Sequence, residues 1–173
     1  MRIISGKFKG HHLVSFQADH IRPTTDKVKE TLFNKIQFDI PEAKVLDLFC
    51  GTGNLGLEAY SRGASYVHFV DKNHKSLEIV NKNLEKLKIN KSEIKTSKVD
   101  IFTFIKNFSD QNFDVIFIDP PFTEKMAHEV MTQLSSSKLF HENTIITIES
   151  IKQERITHVH VLYTEKKKLV LDR

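Results

Sequence analysis

From Lys44 onward, short apolar runs alternate with amphipathic segments, and this alternation leaves few folds open to the chain. Val45-Leu46-Asp47-Leu48-Phe49 reads as a strand, as do residues 66–70, a weaker run at 94–99, residues 113–118 and residues 144–148. Between them the spacing turns helical. Asn73 to Lys88 is the clearest case: Leu77, Val80, Leu84 and Leu87 recur at intervals of three, four and three while lysines occupy the other face. Ala127, Val130, Met131 and Leu134 mark a later helix, with Ser135-Ser136-Ser137 at its end. Strands that are apolar on both faces need cover on both, and strand–helix–strand crossovers supply it by building a parallel sheet between two helical layers. The expected fold class is therefore α/β, a mostly parallel sheet flanked by helices, with residues 157–163 and 168–171 adding an antiparallel hairpin.

Ahead of this core, Arg2 to Ser5 and His11 to Phe16 are predicted to pair as a small hairpin around Gly6 and Gly10. An amphipathic helix bearing Val28, Leu32, Phe33 and Ile36 follows, with Thr24, Thr25 and Asp26 as N-cap candidates. A chain of 173 residues suits one well-cored domain with a small appendage. The division expected is a basic hairpin over residues 1–20 and a single globular unit over 21–173. Charge supports the distinction. Residues 1–35 hold seven Lys/Arg against three Asp/Glu, and the remainder balances at nineteen against nineteen, so the net +4 sits in the first fifth of the chain. A polyanionic partner is the natural inference. No apolar stretch approaches the roughly 18 to 20 residues needed to cross a bilayer, and the start lacks a signal peptide's hydrophobic segment, so a cytoplasmic protein with no membrane partner is expected. The single cysteine, Cys50, has no internal disulfide partner, and no Cys/His spacing resembles a metal site.

Two sites stand out against this frame. The first is the turn after the first strand, Asp47-Leu48-Phe49-Cys50-Gly51-Thr52-Gly53-Asn54-Leu55-Gly56, in which Gly51, Gly53 and Gly56 have dinucleotide spacing. A pyrophosphate could sit there at a helix N-terminus, with Asp71 at the end of the next strand holding ribose hydroxyls. S-adenosylmethionine could use the same turn, passing its methionine and ribose close to Phe49, Cys50, Thr52 and Asn54. The Asp47 carboxylate, four residues before Gly51, favours the second ligand, because it would attract an ammonium and repel a pyrophosphate. Asp100, after the third strand, could read an adenine edge or could merely cap the short helix at 101–106. Ligands of open parallel sheets bind at the strands' carboxyl ends, so Asp47, Asp71, Asp100 and Asp119 should gather on one rim.

The second site is Asp119-Pro120-Pro121-Phe122, closing the run 113–118. Two prolines fix two φ angles and offer no N–H, which leaves the Asp119 carboxylate and backbone carbonyls as acceptors beside an aromatic face. Such a surface suits an amino group on a flat ring. A plain turn after a strand would use similar residues.

With these residues assembled, the chain resembles the RsmD-type methyltransferases, which use S-adenosylmethionine to methylate the exocyclic N2 amine of a guanine in 16S ribosomal RNA. Besides the two sites, the resemblance rests on Arg2-Ile3-Ile4-Ser5-Gly6, on the run from Arg22-Pro23-Thr24-Thr25-Asp26 to Phe33, and on Ile148-Glu149-Ser150. It implies a Rossmann-like class I methyltransferase fold, a seven-stranded sheet with an N-terminal hairpin, and a ribosomal RNA partner, in the form of a small-subunit assembly intermediate met by a monomer. It also implies Asp119, Pro120, Pro121 and Phe122 as the catalytic turn. Arg22 and Thr24 would close over the donor, and Arg2, Lys7, Lys9, Arg22, Lys27 and Lys29 would hold RNA phosphates. Glu165-Lys166-Lys167-Lys168 departs from the family, which usually has a glycine in the last hairpin. Methylation of adenine or of a protein glutamine, a nicotinamide-dependent oxidoreductase and a non-catalytic RNA-binding factor remain open as rival functions.

Overall fold

The computed structural model describes residues 1–16, 26–121, 124–152, 156–165 and 168–171. β1 (Lys44–Leu48) lies between β2 (Tyr66–Asp71) and β4 (Phe113–Ile118), and pairs with both in parallel. β3 (Ile94–Lys98) lies outside β2 and β5 (Phe140–Lys152) outside β4, again in parallel. β6 (Ile156–Glu165) turns back antiparallel on β5, and β7 (Lys168–Leu171) antiparallel on β6. The order across the sheet is β3-β2-β1-β4-β5-β6-β7. The chain thus winds outward from β1 to β3 and restarts on β1's other side at β4. That reversal opens a crevice at the carboxyl ends of β1 and β4, where sheets of this kind bind ligands.

Each face of the sheet carries its own core. Val45, Val67, Phe69, Val115, Phe117 and Ile145 pack on one face under α1 (Asp26–Lys35), α2 (Asn54–Ser61) and α3 (His74–Lys86). Leu46, Leu48, Val70, Ile116, Ile118 and Ile146 pack on the other under α4 (Ile101–Asn107) and α5 (Glu124–Ser135). The alternation along β1 and β4 is the period of two that a pleated strand imposes, and burial on both sides is why the runs read as continuously apolar. β5 begins at Phe140 rather than Thr144: Phe140 pairs with Phe113, and the register with β4 then shifts between Phe113 and Val115.

The N-terminal hairpin is not formed as a pair of strands. A single antiparallel bridge joins Arg2 to His12, flanked by bonds from Ile3 N to His11 O and from Gly10 N to Ile3 O. The amides that would extend a ladder are taken by α2 instead. Ile4 N and Ser5 N donate to the Glu58 carboxylate, Lys7 N to Ser61 O and Phe8 N to Ser61 Oγ. Ile3, Phe8 and Leu13 are buried in the α1–α3 core. Among the described residues no helix is long and apolar enough to cross a membrane.

Candidate active site

The glycine turn is held from three sides. Phe49 (φ 58) takes a left-handed conformation uncommon for a non-glycine residue, which swings the chain off β1. Gly51 (φ 53) then donates its N–H to Asp71 Oδ2 at 3.0 Å, and Gly53 (φ 80) to Cys50 O at 2.7 Å. Gly53 is the N-cap of α2 and brings no side chain to satisfy the helix's first amides. Asp47 serves in its place: from β1 its Oδ2 accepts the Gly56 N–H at 2.9 Å. The three glycines have different reasons to be glycine. A Cβ on Gly56 would lie 2.4 Å from Phe69 Cε1, and one on Gly53 3.1 Å from Val80 Cγ2, so these two let α2 close on β2 and α3. Among the described residues, a Cβ on Gly51 would meet nothing nearer than Phe49 O at 4.0 Å. Gly51 is thus open on that side to the described residues, which leaves room for a ligand against its backbone.

Asp47 is a correction to the expected rim. It pairs level with Phe69 and Phe117, one step inside the strand ends, and is 1% exposed beneath the turn. Burial, and after it the charge of Asp71, outweigh the Gly56 hydrogen bond and push its carboxyl up to about 7. An inward carboxylate that is largely neutral in acid has no direct reach to a ligand's ammonium; it organises the turn. Asp100 also takes the modest of its two expected roles, accepting the N–H groups of Phe102 and Thr103 as the N-cap of α4. Burial holds the Cys50 thiol protonated, aided by the carboxylates of Asp47 and Asp71.

What remains on the rim is compact. Leu48 pairs with Val70 on one side and Ile118 on the other, so the next residues of the three adjacent strands, Phe49, Asp71 and Asp119, stand at one level. Strand spacing places the Asp71 and Asp119 backbones roughly 10 Å apart across the glycine turn. Asp119 and Pro120 are half-buried and Pro121 is exposed. Phe122, Arg22 and Thr24 lie outside the described residues. No group of three or more His, Cys, Asp and Glu that could hold a metal occurs among the described residues.

The residues expected to meet RNA phosphates divide. Arg2, Lys7, Lys9 and Lys27 are exposed, with Arg2 Nε 3.2 Å from Asp26 Oδ2. Lys29 is not available: its side chain is fully buried, and Nζ sits 3.1 Å from Glu58 Oε2 while donating to Asn54 Oδ1 and Arg2 O. It faces inward because Val28, Leu32, Phe33 and Ile36 roll α1 onto the sheet, and helical spacing carries position 29 with positions 32, 33 and 36. Burial lowers the Lys29 pKa, with Glu58 opposing that effect.

Two supporting residues escaped the sequence reading. Glu58 is fully buried and binds Lys29, Arg62 and the amides of Ile4 and Ser5. Asn83 is also fully buried: its Oδ1 accepts from Val14 N, and its Nδ2 donates to Val14 O and Thr52 O. A glutamate among Leu55, Leu57 and Ala59, and an asparagine beside Leu84 in the helix's apolar stripe, were the available signals. Together they tie the N-terminal segment to the glycine turn.

Comparison with known proteins gives a consistent answer. The family model described as "Conserved hypothetical protein 95" matches residues 1–170. "Ribosomal RNA small subunit methyltransferase D" of Haemophilus influenzae is 35% identical over 155 residues, covering 89% of this chain and 80% of the relative. The Escherichia coli protein of the same name is 33% identical over 150 residues, covering 87% and 74%. A solved structure of a hypothetical protein from Thermus thermophilus shares the fold at a TM-score of 0.78 and 23% identity, covering 90% of this chain and 89% of that one.

Proposed function

From a chain that belongs to the ribosomal RNA small subunit methyltransferase D family, we infer transfer of a methyl group from S-adenosylmethionine to the exocyclic N2 amine of a guanine in 16S ribosomal RNA. The observation that carries this reading is the shared level of Asp71 and Asp119 on either side of an open glycine turn. One carboxylate serves a donor lying over the turn and the other an acceptor base beyond it. Gly51, Thr52 and Gly53 would line the donor, with Asp71 on its ribose hydroxyls and the backbone beside Asp100 at its adenine. Arg22 and Thr24 would close over it. The donor, when bound, supplies a methyl group activated by a sulfonium.

The residues of the catalytic turn deal with the amine's weakness. Its lone pair is delocalised into the purine, so the site must turn that pair out of conjugation. Asp119 and the Pro120 carbonyl accept the two amino hydrogens, with the prolines fixing both acceptors and adding no competing donor. The nitrogen becomes acidic as it gains carbon, and Asp119 or water accepts the proton it then loses. Phe122 would stack on the base, an interaction worth roughly 1 to 3 kcal/mol. The target guanine must leave any helical stack to reach the pocket. Arg2, Lys7, Lys9 and Lys27, all exposed, would hold the flanking backbone. The substrate in this reading is a cytoplasmic small-subunit assembly intermediate, approached by a monomer.

The test is tritium transfer from labelled S-adenosylmethionine into free small-subunit RNA, partly assembled particles and mature particles, followed by nucleoside analysis. Label in N2-methylguanosine is the expected result. Label in adenosine would replace the acceptor, and no transfer to any of the three would overturn the reading. Asp119→Ala should abolish transfer while leaving donor affinity nearly unchanged in calorimetry.

A further inference from the structure

Lysine is concentrated in one more place than the N-terminal segment. Residues 72–98 hold eight lysines against three glutamates, an excess masked in the whole-chain balance by acidic residues elsewhere. The surplus is ordered. Lys75, Lys82 and Lys86 are separated by seven and four residues on α3, which puts them on one face, and all three are exposed. The row is about 16 Å long at the helical rise, enough to follow a few nucleotides of sugar-phosphate backbone. Glu78 and Glu85 lie on one flank of it. On the other flank runs the N-terminal segment, fixed by Asn83 to Val14 and by Lys86 Nζ, which donates to His12 O at 2.7 Å.

Both ends of the row are marked. At the rim, α3 is capped by Asn73, whose own N–H donates to Asp71 Oδ1, so the row begins beside the proposed donor site. Exposed Lys72 follows Asp71 in the chain, and exposed Lys98 pairs with Asp71 in register. At the far end, the 6–12 turn adds exposed Lys7, Lys9, His11 and His12. The amino ends of β1 and β4 have the opposite character, with Asp39, Glu42 and Asp114 around a shallow pocket. A polyanion is thus favoured along α3 over the pocket at the amino ends of β1 and β4.

We propose that the exposed lysine row of α3 is an RNA-gripping surface that holds the backbone flanking the target nucleotide, apart from the rim that receives the base. It rests on the reading of the chain as an RNA methyltransferase. Each phosphate neutralised on single-stranded RNA contributes about 0.7 to the slope of log affinity against log salt. The Lys75→Glu/Lys82→Glu variant should lose about 1.4 from that slope, and at least tenfold in affinity for small-subunit RNA at low salt. The control is Lys106→Glu/Lys138→Glu, an equal change of charge on α4 and just beyond α5, across the sheet. Fluorescence anisotropy with labelled RNA reads affinity and slope, and calorimetry with S-adenosylmethionine checks that the donor site is intact in both variants. Loss confined to the α3 variant, with donor binding retained, supports the surface. Equal loss in both variants, or no loss in either, overturns it and leaves the methyltransferase reading standing. Wild-type protein that binds the donor but neither binds nor methylates RNA overturns both.

Discussion

Asp47 carries a pH dependence that can be worked out from its burial. Its carboxyl is raised from 3.8 to about 7, so between these values the folded protein holds a proton that the unfolded chain releases. Stability must then fall as pH rises through that window and level off above it. Asp47→Asn keeps an acceptor for the Gly56 N–H without the charge. Its stability relative to wild type should climb from pH 4 to pH 7 and stay constant beyond, as read by thermal melts at several pH values; a difference independent of pH would show that Asp47 is ionised throughout. Lys29 has the opposite place in the molecule, a cation that the fold has enclosed. Lys29→Met should cost about 3 kcal/mol in urea denaturation, because among the described residues it leaves buried Glu58 with Arg62 and backbone amides to meet its charge. A loss below about 1 kcal/mol would show that these partners suffice. Composition alone counted Lys29 as a surface charge. Only its spacing to Leu32, Phe33 and Ile36 says otherwise, and that signal competes with the prior that lysine is exposed.

At the scale of elements, strands and helices were legible where the period was strong, and the glycine turn was legible as a turn. Its internal division was not. Spacing does not distinguish a glycine that faces a ligand from one that lets two elements touch, because that depends on Phe69 and Val80, which arrive from β2 and α3. Gly56→Ala should cost about 1 to 3 kcal/mol by overpacking against the Phe69 ring, and should weaken donor binding as α2 backs away and carries the turn with it. Stability and donor titrations on the same variant check both. The missing hairpin has a similar cause, since Ile4, Ser5 and Phe8 give their amides to Glu58 and Ser61, which arrive from α2, and not to a partner strand. Asn83→Ala should raise hydrogen exchange at the Val14 amide and loosen donor binding together, because one side chain serves both Val14 and Thr52. Faster exchange at Val14 with unchanged donor affinity would separate the segment from the turn.

The whole molecule is organised around one reversal of the sheet. The alternation of strands and helices made that architecture readable, because parallel strands covered on both faces have few ways to connect. The rim at Asp71 and Asp119 followed from the same rule, while Asp47 slipped from it by a single residue of register. Charge was readable in amount but not in arrangement: the lysines of α3 form a row only once the helix is built. The N-terminal attachment has a further consequence, for the order in which the protein is made. Val14 is sixty-nine residues from its partner Asn83, and Ile4 fifty-four from Glu58. At translation rates of about 5 to 20 residues per second, several seconds separate the synthesis of each segment from that of its anchor. The earliest part of the chain therefore waits for anchors made later, and the bond that joins Val14 to the glycine turn forms only after α3 has emerged. A nascent chain halted before Asn83 would hold a sheet in the making whose first residues are not yet joined to the glycine turn.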